Sequence, residues 1–183
     1  MRVVPQSLLI LLTLTSVASH AQSFIDAGYC GASVTHPGLY AGYGKSLLQA
    51  QGKGKKKNEL VATVRLGFYF HRNRHTGVFT NVGLEWIKTT RRGFQYGLDV
   101  PVGYLRTFIP KVYEMNDDGE LSKVRWAGTN HLIISPALRL GHTSSSGFIN
   151  AWYIKNRVMI VQQYVGGSAP QFMLEAGVVK FLN

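Results

Sequence analysis

Five charged residues stand singly inside apolar, glycine-rich stretches: Arg65, Glu85, Asp99, Arg139 and Glu175. An ion left alone in a low-dielectric setting is costly, so these side chains must either reach water or pair with one another. Their mixed signs fit pairing, and the expected arrangement is an internal ion-pair network with Arg65 and Arg139 against Glu85, Asp99 and Glu175. A second set of charges is clustered and basic: Lys53, Lys55, Lys56 and Lys57, then Arg72 and Arg74, then Arg91 and Arg92. The run Gly52-Lys53-Gly54-Lys55-Lys56-Lys57-Asn58 lacks the strand-Gly-x4-Gly-Lys-Ser frame of a phosphate loop, so its basicity acts as electrostatics alone. His71 and His75 flank Arg72 and Arg74, with no Cys or carboxylate close in sequence. Two cations between two imidazoles argue against a metal site, and neither metal nor cofactor is expected. His142-Thr143-Ser144, an imidazole two residues before a hydroxyl, is the one enzymatic hint; its plainer reading is a polar turn, Thr143-Ser144-Ser145-Ser146-Gly147.

The elements that would position these groups alternate with a period of two. From Glu59 to Arg72, Leu60, Ala62, Val64, Leu66, Phe68 and Phe70 face one side, while Thr63, Arg65, Gly67, Tyr69 and His71 face the other. Such a strand is about twice the usual length in a soluble protein and matches the ~9 to 11 tilted residues that cross a bilayer. The pattern returns over 78–86, 94–104, 132–141 and 172–178, and more weakly over 38–48, 148–153 and 158–164, which makes eight strands. A soluble barrel turns its apolar faces inward, a membrane barrel outward. The polar faces hold Gly, Ser, Thr and single charges of mixed sign, where a wet face would be studded with Lys and Glu, so they read as a closed polar interior. Phe68, Phe70, Trp86, Phe94, Tyr96 and Tyr104 lie toward strand ends on the apolar faces, where interfacial girdles belong. The expected fold is all-β: an antiparallel up-and-down transmembrane β-barrel of eight strands.

Composition sets the frame. The 183 residues carry a formal charge of +11, 45% hydrophobic and 16% charged residues, 20 glycines and one cysteine. This is too apolar for a disordered basic tail, and nucleic acid is excluded as a partner. One cysteine rules out an internal disulfide. Residues 1–21 read as a secretory signal peptide cleaved after Ala21, leaving 22–183 as a single β-barrel domain. Losing Arg2 lowers the charge from +11 to +10.

From Gly38 to Phe181 the chain resembles small bacterial outer-membrane β-barrel proteins of eight-strand size. The features that carry the resemblance are the singly placed interior charges, Gly-Leu-Asp-Val-Pro-Val-Gly-Tyr-Leu-Arg-Thr-Phe at 97–108 and a final strand over Phe172–Phe181. Residues 97–131 look like a segment of exported barrel proteins without an assigned activity. The resemblance implies an outer-membrane location, lipid and anionic glycolipid headgroups as partners for the basic rims, contact with the barrel assembly machinery, and a monomer. Two departures stand out. Such barrels usually end on an outward aromatic, yet Leu182 and Asn183 follow Phe181, which shares the face of Glu175. With eight strands and both ends periplasmic, the long 110–130 connection falls on the periplasmic side; a strand within Phe24–Val34 would reverse that but make the count odd. His142 and Ser144 also look like the pair of the barrel enzymes that deacylate lipid A, which implies His142 as base and Ser144 as nucleophile. Ser145 stands where those enzymes have Asn, and no carboxylate follows until Glu175. The reading carried forward is a non-enzymatic barrel with a structural, adhesion or envelope-interaction role, too narrow for a wide porin. Its alternatives are a lipid A-modifying hydrolase and a soluble, periplasmic, lipocalin-like binder.

Overall fold

A computed structural model describes residues 22–32, 36–52, 56–72, 75–110, 112–115, 119–144, 147–162 and 168–182. Residues 1–21, the expected signal peptide, lie outside the described residues. Period-two alternation is converted into strands throughout: β1 Ser23–Ala32, β2 His36–Gly52, β3 Lys56–His71, β4 His75–Thr89, β5 Phe94–Phe108, β6 Tyr113–Met115, β7 Leu121–Lys123, β8 Gly128–Ile134, β9 Ala137–Thr143, β10 Ala151–Gln162 and β11 Ser168–Leu182. β1 to β5 pair in sequence order, β5 pairs with both β8 and β9, β10 pairs with the same two strands, and β11 pairs with β10 and β1. The sheet therefore closes on itself as a ring, with the shortest described ladder, two residue pairs, between β8 and β10. β8 and β9 lie end to end as one stave, so the ring has eight staves, all antiparallel. β6 and β7 form a separate hairpin in the connection after β5.

The eight staves are not the eight segments expected. β1 is a full strand, paired over Ser23–Gly31 with β11 and over Ser23–Ala32 with β2. Its side chains are small (Ala27, Gly28, Gly31), which flattens the alternation. The two weak segments at 148–153 and 158–164 meet in one strand, β10 (Ala151–Gln162), whose middle is the polar Lys155-Asn156-Arg157; residues 163 and 164 lie outside the described residues. One strand gained and two merged keep the count at eight and reverse the polarity. The connection from Phe108 to Gly128 leaves from the far end of the barrel, opposite the end where β1 begins and β11 finishes, so its expected placement on the side of the termini is corrected.

The wall is inverted relative to a soluble protein. Outward positions of the staves are apolar and open, with Leu66 62% and Leu138 67% exposed, while the inward positions are buried and carry the charges. Exposed aromatics gather toward both ends: Tyr43, Trp86, Phe94 and Trp152 near the terminal end, Phe68, Phe70, Tyr104 and Phe172 near the far end. At the terminal end the chain turns tightly from β4 to β5 over 90–93. There the Gly93 N–H donates to the Thr90 carbonyl (3.0 Å), and φ of +84° at Gly93 is a left-handed conformation that glycine adopts without cost.

Candidate functional site

The buried charged side chains converge in the lumen. Eight ionic groups, each at most 3% exposed, meet there: Asp26 from β1, Arg65 from β3, Glu85 from β4, Asp99 from β5, Arg139 from β9, Lys155 and Arg157 from β10, and Glu175 from β11. All occupy inward positions, so every stave except β2 supplies at least one. The Arg65 guanidinium donates to three carboxylates: Nε to Asp26 Oδ2 (2.9 Å), Nη1 to Asp99 Oδ2 (3.0 Å) and Nη2 to Glu85 Oε2 (3.1 Å). Lys155 Nζ lies 2.9 Å from Glu85 Oε2 and 2.7 Å from Asp99 Oδ2. Arg139 donates to Glu85 Oε1 (3.0 Å) and Gln95 Oε1 (3.1 Å). Arg157 makes a two-pronged contact with Glu175 (2.6 and 3.1 Å) and reaches Asp99 at 2.9 Å. Four cations thus balance four anions in a buried interior, the arrangement in which mutual attraction and hydrogen bonds offset the desolvation of each ion.

β2 contributes a tyrosine instead. The Tyr153 hydroxyl donates to Asp26 Oδ2 at 2.5 Å, which leaves Tyr40 to donate to the Tyr153 oxygen, also at 2.5 Å. Both rings sit over Gly177, where a Cβ would lie 2.1 Å from the Tyr40 oxygen and 2.9 Å from Tyr153 Cζ. Glycine there makes room for the pair. Tyr153 also offers its ring to cations, with Arg139 Cζ at 4.1 Å and Lys155 Nζ at 5.1 Å from the centroid.

The five charges singled out by sequence all face this interior, but the pairing differs from expectation. Arg65 and Arg139 do meet Glu85, and Arg65 meets Asp99, whereas Glu175 is held by Arg157. Asp26, Lys155 and Arg157 escaped the sequence reading because they lie on the flattened β1 and in the apparent break of β10. At this level the eight ionic side chains are all buried. Toward the terminal end the lumen leaves a cavity of about 20 Å³, lined among others by Phe24, Val61, Gln95 and Arg139, room for about one water molecule.

The remaining candidates lie apart. His142 faces outward, stacked on Trp152 at 6.5 Å, and its Nε2–H donates to the Arg92 carbonyl at 3.0 Å. Ser144 follows at the end of β9, exposed. Glu175 is inside the barrel on Arg157, so the next carboxylate in the chain does not orient His142. Of the basic rim, Lys56, Lys57, Arg91 and Arg92 lie at the terminal end and Arg72 at the far end; Lys53, Lys55 and Arg74 lie outside the described residues. His71 and His75 are joined by His36 at the far mouth, with centroids 3.6 Å between His36 and His71 and 5.4 Å between His71 and His75. Among the described residues no group of three or more His, Cys, Asp and Glu has the arrangement to hold a metal ion.

No family model and no curated protein matches the chain. Among solved structures, it is similar to the outer membrane protein Ail of Yersinia pestis in a phospholipid bilayer nanodisc. That likeness has 10% identity, a TM-score of 0.40, and coverage of 87% of this chain and 99% of that one. It is also similar to the beta domain of the Bordetella autotransporter BrkA, with 10% identity, a TM-score of 0.39, and coverage of 88% of this chain and 68% of that one.

Proposed function

We propose that the chain spans an outer membrane as a closed eight-stave barrel, exported by residues 1–21. It acts through its rims and far-end connections in a structural, adhesion or envelope-interaction role, without a wide pore. The observation that carries this reading is the inverted polarity: an exposed apolar wall around a neutral, ion-paired lumen. A soluble barrel carrying an apolar ligand needs the opposite, an apolar interior where the described residues of this one place eight paired ions. Closure of the ring supports the same reading, since spanning strands must find their backbone partners within the barrel. So does length: the 15 residues of β5 extend roughly 50 Å, enough at a tilt of about 45° to cross a ~30 Å hydrocarbon core. With both chain termini periplasmic, the β6–β7 hairpin, which leaves from the opposite end of the barrel, reaches away from the cell. Its exposed Tyr113, Met115 and Leu121 offer apolar contact to a partner.

Fractionation with gel mobility before and after heating tests the reading. Recovery in the outer-membrane fraction, with faster migration of the unheated protein, is expected. A chain that stays soluble in the periplasm without detergent overturns it, and large conductance steps in a planar bilayer would overturn the closed lumen.

A further inference from the structure

A groove on the outer wall gains a ligand class from its position relative to a cation, Arg106. The ladder between β8 and β10 is only two residue pairs long, Ile134 with Ile160 and Ile133 with Val161. Beyond this seam β8 stays paired with β5, and His131 Nδ1–H donates to the carbonyl of Gln162, the last described residue of β10, at 3.3 Å. At this seam lies a groove of about 800 Å³, lined by outward Val82, Val102, Tyr104, Leu132, Ile134 and Ile160. It also reaches the inward Asn81, 3% exposed, whose Oδ1 has no hydrogen-bond partner among the described residues.

The outward face changes character one step beyond the groove. Opposed pairs along β5 and β8 run Val102 with Ile134, Tyr104 with Leu132, then Arg106 with Asn130. Arg106 donates Nη1 to Asn130 Oδ1 (2.8 Å) and Nη2 to the Trp126 carbonyl (3.4 Å), both neutral acceptors, and its Cζ lies 5.2 Å from the Phe108 centroid. A guanidinium has five N–H donors, so three remain beyond these two bonds, and no carboxylate pairs with it among the described residues.

We infer that this groove is a lipid site: it seats acyl chains of a phosphate-bearing membrane lipid, with the Arg106 guanidinium on the headgroup. The inference rests on the membrane-spanning reading above, which puts acyl chains against Leu132 and Ile134 and headgroups at the level of Arg106 and Trp126. Arginine suits the role because its planar fork pairs with two phosphate oxygens at once.

Trp126 is the reporter. The barrel carrying Trp86→Phe and Trp152→Phe, leaving Trp126 as the single tryptophan, is refolded into phosphatidylcholine vesicles holding increasing fractions of brominated phosphatidylglycerol or brominated phosphatidylcholine. Quenching should reach its midpoint at a roughly fivefold lower fraction of the anionic lipid, the equivalent of ~1 kcal/mol for one arginine at a charged surface. The preference should vanish in Arg106→Gln, weaken in Ile134→Phe, which fills the groove, and persist in Lys88→Gln at the opposite end. Equal midpoints, or a preference that survives Arg106→Gln, overturn the site. A preference untouched by Ile134→Phe overturns the seating of the chains in the groove, and one abolished by millimolar inorganic phosphate overturns the choice of a lipid over a soluble anion. A chain that inserts, shifts on heating and shows no preference defeats this inference alone; a chain that never inserts defeats the membrane reading with it.

Discussion

Arg65 is the residue on which the lumen turns, since it donates to carboxylates from three different staves. Arg65→Met leaves Asp26 without its guanidinium and removes one donor each from Glu85 and Asp99. Breaking a buried pair on one side costs ~3–5 kcal/mol, because the stranded ion keeps its desolvation cost. The midpoint of urea unfolding from lipid vesicles should fall accordingly, while Arg91→Met, in the exposed turn, should leave it nearly where it was; similar midpoints for the two would defeat the pairing argument. Gly177→Val tests the tyrosine pair. Its side chain enters the space of Tyr40 and Tyr153, and overpacking of this kind costs ~1–3 kcal/mol, read in the same titration. At this scale the sequence was legible wherever a charge sat in clean alternation, as with Arg65 between Val64 and Leu66 or Asp99 between Leu98 and Val100. Asp26 was hidden by the small residues around it. Lys155 and Arg157 were hidden because two cations flanking Asn156 look like a turn, although period two sends both inward and Asn156 out.

The elements show why Arg157 has a second duty. Pro101 of β5 stands opposite Ser135, and the Ser135 N–H donates to the Pro101 carbonyl at 3.0 Å. The reciprocal bond of such a pair cannot form, because proline has no N–H. Arg157 Nη1 donates to the Ser135 carbonyl instead, at 2.6 Å, so a lumen cation substitutes for a missing backbone amide at the break between β8 and β9. Pro101→Ala restores that amide. Arg157→Met should therefore cost less in the Pro101→Ala background than alone, with a coupling of ~1 kcal/mol, the net worth of one hydrogen bond. A double-mutant cycle on unfolding midpoints reads it, and additivity within ~0.3–0.5 kcal/mol would mean that the guanidinium does not support the wall. Staves with large outward side chains, such as β3 and β5, were legible in sequence down to the identity of each face. The end-to-end junction of β8 and β9 was less so: Ser135-Pro136 sits within a continuous alternation, and only pairing with neighbours on both sides shows one stave with a gap.

For the whole molecule, the neutral lumen means that the net positive charge lies at the two rims, and the rims are unequal. At the terminal end the described residues include Lys45, Lys56, Lys57, Lys88, Arg91, Arg92 and Lys180 against Glu59 alone, which Lys57 pairs at 2.7 Å. At the far end Arg72, Arg106, Lys123 and Arg125 are offset by Glu114 and Glu120. Lys88 lies 5.7 Å from the Tyr96 ring and Lys180 5.0 Å from that of Phe148, cations set among aromatics as at a membrane surface. This asymmetry could not be read from total charge, because it depends on which end each connection leaves from, and β1 decides that for every later stave. It gives the terminal end the stronger pull on an anionic surface. Neutralising Lys56, Arg91 and Arg92 to Gln together should slow adsorption of the unfolded-to-folding chain to phosphatidylglycerol vesicles, with the wild-type advantage fading as salt rises because the Debye length shrinks below ~10 Å. At low salt each lost charge is worth up to ~1 kcal/mol of surface attraction. Because none of the three touches the lumen, the unfolding midpoint of the inserted barrel should not move. A triple variant that adsorbs as fast as wild type at every salt concentration would show that the terminal rim does not guide approach to the membrane.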